Sequence, residues 1–139
     1  MELDDVTGAI ISAAVGIHRH PGPGLFESLY EALLASELRR RGLQVDRQRL
    51  IQISYNGVDI ENAFRADLLV EESVIVEVKV VDRIAPVHAR QLLTYLRLTN
   101  LRVGLLLNFD APRMKDGIRR LVNDYDPKGD SPLRINRPQ

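Results

Sequence analysis

Asp67-Leu68-Leu69-Val70-Glu71-Glu72-Ser73-Val74-Ile75-Val76-Glu77-Val78-Lys79 is two apolar runs joined by a polar triplet. Its period of two reads as a pair of strands. Charged groups within valine-rich strands are costly to bury unless paired, hydrogen-bonded or bound to a cation, so Asp67, Glu77 and Lys79 require an explanation. The apolar pattern selects the register. With a loop of residues 71–73, Val70 opposes Val74, apolar positions face apolar positions, and Asp67 lies directly across from Glu77. A two-residue loop would mix charged and apolar positions on both faces, so the three-residue register is expected.

Two adjacent carboxylates repel, and Lys79, two residues along the same face, relieves this only in part. A hard divalent cation such as Mg²⁺, with Mn²⁺ as its substitute, takes oxygen ligands, keeps several waters and would resolve the conflict. Lys79 could then orient an attacking water or stabilise charge on a phosphate. The alternative is a structural ion pair, Glu-Lys or Asp67 with Arg65, on a half-exposed sheet face. Both readings stand at this point.

Downstream, Pro86 suits the first position of a helix running to Leu98, with Thr99-Asn100 as its exit. Gln91 and Tyr95 are four apart on it and share a face, where they could meet a phosphate or a base. Arg90 and Arg97 on this helix, and Arg83 before it, are candidate phosphate grips. Val103 to Phe109 reads as a strand buried on both faces and parallel to a neighbour. Ile118 to Val122 reads as an edge strand or a helical turn, and from Asp124 onward the composition is that of a loose tail.

Upstream, Asn56-Gly57 marks a hairpin between a strand holding Val45, Ile51, Ile53 and Tyr55 and the strand that carries Asp67. That second strand is expected to keep Phe64, Ala66, Leu68 and Val70 on one face. Before it, helical spacing predicts one helix over residues 3–19 and a second from Gly24 to about Arg41, stopped by Gly42. Glu27 sits at the margin of the second helix's apolar stripe. Either it looks into a cleft or, with Gly24 as N-cap, it is the third helical residue and serves the free amides there. Arg39-Arg40-Arg41 reads first as a solvated helix end, and so do His18 and His20, which are left out of the site.

The chain has 139 residues, enough for one domain with a real core; 45% are apolar and 27% charged, the balance of a soluble globular protein. There is no cysteine, which excludes disulfides, thiolate zinc sites and cysteine nucleophiles and fits a reducing cytoplasm. No apolar run approaches the roughly 18 residues of a membrane span. The acidic start Met-Glu-Leu-Asp-Asp is unlike a signal peptide. Net charge is zero, yet 16 of the 19 basic residues are arginines, the better side chain for gripping phosphate.

The order α-β-β-β-α-β, with a lone Asp at the end of the second strand and Glu-x-Lys in the third, resembles the PD-(D/E)XK nuclease superfamily. Gln91-Leu-Leu-Thr-Tyr95 is similar to the Gln-x-x-x-Tyr element of its RecB-type exonuclease members. Gly24-Leu-Phe-Glu27-Ser-Leu-Tyr30 is similar to the signature of the GxxExxY family, a branch of the same superfamily. The resemblance spans roughly residues 5 to 123. It implies an α/β (α+β) fold with a restriction-endonuclease-like αβββαβ core and a central mixed sheet flanked by helices, in one domain over residues 1–123 with a tail over 124–139. It also implies a Mg²⁺-dependent DNA nuclease that hydrolyses phosphodiesters through a metal-activated water. Asp67, Glu77 and the Val78 carbonyl would hold the metal, and Lys79 would act on the nucleophilic water. Glu27 would join through the metal's water shell, while Gln91 and Tyr95 would place substrate. Ala66 stands where the superfamily's name gives proline. The expected partner is DNA, and a second copy of the chain would help wall a duplex. The rival expectation is a non-cleaving DNA-binding or protein-interaction module that keeps the nuclease-like fold.

Overall fold

The computed structural model describes residues 1–124 and the backbone of residues 133–135. β1 (Val45–Tyr55) and β2 (Val58–Val70) form the hairpin, and Asn56 and Gly57, with φ of 49° and 80°, turn it in two residues. β3 (Val74–Lys79) returns along β2 with Val70 opposite Val74, Leu69 opposite Ile75 and Leu68 opposite Val76, the register of the three-residue loop. β4 (Val103–Asn108) is parallel to β3 and buried along its whole length. β5 (Ile118–Val122), reached through a 3₁₀ turn at Met114–Gly117, closes that edge antiparallel to β4. β6 (Leu133–Ile135) pairs with β1 and completes a mixed sheet of order β5-β4-β3-β2-β1-β6. The rest of the expected tail lies outside the described residues, apart from Asp124.

Helices cover both faces, as strands apolar on both sides require. α1 (Leu3–Arg19) and α2 (Glu27–Arg40) bring Val6, Ile10, Leu34 and Leu38 against Leu68, Val70, Val74, Val76 and Leu105. α3 (Pro86–Thr99) makes the crossover that parallel strands need and packs Leu92 and Leu96 on Leu69, Ile75 and Leu106. It lies close to the sheet because β4 has Gly104, where a Cβ would meet the Leu92 side chain at 3.0 Å.

Three local expectations are corrected. First, α2 starts at Glu27 with Phe26 as N-cap, because Gly22 and Gly24 take φ of 88° and 108° and keep the preceding turn out of the helix. Glu27 is therefore the first helical residue, not the third. Second, His18 is buried, with its Nε2 2.7 Å from the Ala111 carbonyl oxygen, while His20 is exposed as expected. A hydrogen bond to the loop after β4 removes the reason for the last turn of α1 to stay in water. Third, β1 and β2 do not keep one face throughout. Val45, Leu68 and Val70 pack with α1 and α2, whereas Ile51, Ile53 and Phe64 pack with Tyr95 and Leu98 of α3, and Ala66 joins the α3 side as well. The change falls at Gln48, which has φ of 51°, and at Asp67. These two face each other between the pairs Arg47–Leu68 and Arg49–Ala66.

Candidate active site

The β2–β3 ladder ends at Leu68 and Val76, and one residue further the same register sets Asp67 across from Glu77. The backbone bonds lapse there and a side chain takes over: Asp67 Oδ2 accepts the Val78 N–H at 2.9 Å. Its other oxygen, Oδ1, accepts from Gln48 Nε2 at 3.2 Å. Glu77 is only 7% exposed, and its Oε1 is buried with no hydrogen-bond partner. Burial pushes its carboxyl up to about 9, and the Asp67 charge and hydrogen bonding with the Asp67 carboxyl push the same way; the Lys79 ammonium and the Asp67 backbone oppose them. An orphaned buried oxygen costs on the order of 1–3 kcal/mol.

The structural alternative is not what forms. Among the described residues neither Asp67, Glu77 nor Lys79 enters an ion pair, and Arg65 donates to Gln48 Oε1 at 3.5 Å instead. A cation is one partner that would fit this arrangement. The donors are oxygens, which suits a hard divalent ion. No group of three or more His, Cys, Asp or Glu residues that could hold a metal gathers among the described residues. Two carboxylates fit an ion of the Mg²⁺ kind, which keeps much of its water shell.

Of the other expected residues, Lys79 and Tyr95 lie near this pair, and Glu27 is tied to the chain just past Lys79. Lys79 is half-buried, two residues beyond Glu77, and close enough for its charge to act on that carboxyl. Glu27 Oε1 accepts the Val80 N–H at 3.3 Å, so the start of α2 is fastened to the end of β3. This decides between the two readings of Glu27: its carboxylate reaches across to the strand rather than serving its own helix. Tyr95 stacks on Phe64 at 3.9 Å between ring centroids, and burial and then the charges of Glu77 and Asp67 raise its phenol. One face of its ring is thereby covered. Gln91 and Arg90 are exposed on α3, with no bond to the carboxylates. Tyr30 of the same motif is structural: it stacks on Phe109 at 4.4 Å, donates to the Gly22 carbonyl at 2.5 Å and accepts the Leu25 N–H at 3.2 Å.

Three residues that shape the site escape a reading of the sequence. Glu31, one turn beyond Glu27, is buried and accepts from Arg47 Nε at 3.2 Å and from Gln48 Nε2 at 2.8 Å. Its spacing of four from Glu27 was the available signal; Gln48 offered none. Asn108, opposite Lys79 on β4, is buried and holds the chain just past β3, donating to the Val81 carbonyl at 2.7 Å and accepting the Val81 N–H at 3.1 Å.

Two cavities of about 330 Å³ lie elsewhere, one between α1 and α2 and the other between α1 and residues 112–115. The acidic pair lines neither. No curated protein and no solved structure matches the chain. A family model described as the PD-(D/E)XK nuclease superfamily matches residues 4–121, the span from the first turn of α1 into β5 that carries Asp67, Glu77 and Lys79, and the chain belongs to that superfamily.

Proposed function

We propose that the chain is a Mg²⁺-dependent DNA nuclease whose metal ligands are Asp67, Glu77 and the Val78 carbonyl. The observation that carries this reading is the buried, unpartnered Oε1 of Glu77 beside Asp67, an arrangement that ionised carboxylates sustain only with a cation. Nucleases of this superfamily generally use divalent metals, and a nuclease fold implies a DNA substrate. When bound, such an ion supplies Lewis acidity to a phosphate oxygen and lowers the pKa of a water.

The protein's own groups do the rest. Lys79, free of any ion pair among the described residues, supplies positive charge to orient the nucleophilic water and to offset charge building on the phosphate. Glu27, anchored on the Val80 amide, joins through the water shell. Tyr95 and Gln91 place the substrate, and Arg90, exposed on the same helix, grips a flanking phosphate. Residues 1–123 form the one domain that does this.

The test is incubation of the purified protein with linear, nicked, branched and single-stranded DNA in Mg²⁺, Mn²⁺ or EDTA. Cleavage that needs the metal and falls with Lys79→Ala is expected. DNA binding with no turnover, indifferent to Asp67→Asn, would replace this reading with that of a non-cleaving module.

A further inference from the structure

Beyond the acidic pair itself, we infer that Gln48 is a positioning residue that braces the metal ligand Asp67 against the buried carboxylate of Glu31; this rests on the metal-site reading above. The Gln48 amide nitrogen has two protons, and two acceptors lie within reach: Glu31 Oε2 at 2.8 Å and Asp67 Oδ1 at 3.2 Å. The orientation of the amide follows from its surroundings. Its oxygen faces the Arg65 guanidinium at 3.5 Å, so its nitrogen faces the two acids.

The anchor is firm. Glu31 is 4% exposed on α2 and is also held by Arg47 Nε at 3.2 Å. With Val78 N–H fixing Asp67 Oδ2, both oxygens of that carboxylate are tied before any ion arrives. One tie comes from β3, which carries Glu77, and the other leads through Gln48 to α2, which carries Glu27.

The backbone of β1 is bent to allow this. Gln48 takes φ of 51°, in the left-handed region that a glutamine seldom occupies, at the point where β1 and β2 change the helices they pack on. Sparsely populated backbone conformations gather at functional sites, where surrounding contacts over-determine them. Here the contacts are those of the Gln48 side chain. A glycine or an asparagine would accept the same backbone more readily, so the fold itself does not call for glutamine.

That point supplies the test. Gln48→Gly and Gln48→Asn keep or ease the backbone while removing or shortening the amide. Mn²⁺ binding, measured by titration calorimetry on the full chain, is expected to weaken about 10–100-fold in both, the usual cost of losing a group that orients a metal ligand. The melting temperature of the metal-free protein should stay at or above that of the wild type. Cleavage by the variants should recover at saturating Mn²⁺, because the amide holds a ligand and touches no reacting atom. In the metal-free protein, the NMR signals of the Gln48 side-chain amide should move in both Glu31→Gln and Asp67→Asn. A wild type that binds Mn²⁺, with both variants within twofold of it, would overturn the brace and leave the metal site standing. A wild type that binds no Mn²⁺ would sink the metal reading, and the role of Gln48 with it.

Discussion

The β2–β3 hairpin has two ends that obey different rules. Next to its loop, Leu68, Leu69 and Val70 meet Val76, Ile75 and Val74 in an unbroken ladder, every side chain buried against another apolar one. One residue further the backbone pairing stops, a carboxylate takes an amide that a carbonyl would otherwise take, and a second carboxyl is buried with an oxygen unpaired. Dispersion and the hydrophobic effect account for the first end. They work against the second, where a buried carboxyl must either keep its proton or gain a charged partner. The contrast teaches that apolar packing and the buried polar pair are set side by side along one strand pair, a single residue apart.

The largest effects should come from breaking the polar end. Asp67→Asn is expected to abolish metal-dependent cleavage while leaving the fold intact, as judged by circular dichroism and gel filtration. Lys79→Ala should lower kcat by about 10²–10³-fold, the range for removing one group that stabilises developing charge, with Mn²⁺ affinity within a few-fold of wild type. The apolar end should respond the opposite way. Leu68→Ala should destabilise the protein by about 2–5 kcal/mol in urea unfolding, and its metal affinity should be unchanged once folded.

A pH series sharpens the comparison. With burial as the main cause, the Glu77 carboxyl is raised from an ordinary 4.5 to about 9, so in the folded, metal-free protein it favours its neutral form. The stability tied to that proton is complete below pH 4.5 and is lost as pH rises through 9. In EDTA, Glu77→Gln should therefore raise the melting temperature by several degrees at pH 8, on the scale of about 3–5 °C per kcal/mol for a chain of this size, and by much less at pH 5. Leu68→Ala should show no such divergence. The smallest effect is expected from Gly104→Ala. The added methyl meets Leu92 Cδ1, Cδ2 and Cγ at 3.0–3.1 Å, so that side chain must give by a few tenths of an ångström and a loss of about 1 kcal/mol is expected, read by thermal unfolding.

Much of this was legible in the chain. Alternating valines fix the hairpin register, and through it the position of Asp67 across from Glu77, because a slip of one residue would set charged positions against apolar ones on both faces. Asn56-Gly57, Pro86 and the apolar run at Val103 mark their elements because each signal acts locally. What the sequence hid depends on partners far along the chain. His18 is buried because a carbonyl 93 residues away accepts it. The strands change faces because Gln48 turns left-handed, and no glutamine advertises that. Glu27 shifted from the third helical position to the first because two glycines hold the preceding turn open. Asp67, Glu77 and Lys79 were readable as anomalies of charge within an apolar pattern, whereas Gln48, Glu31 and Asn108 carry no such anomaly.

On the metal-site reading, a divalent ion sits between Asp67 and Glu77. Crystals soaked in Mn²⁺ and measured at the manganese absorption edge test it most directly. The account predicts one anomalous peak ligated by both carboxylates, with Glu77 Oε1 no longer unpartnered. A peak elsewhere, or none at that position in soaked crystals with the pair unchanged, would contradict it.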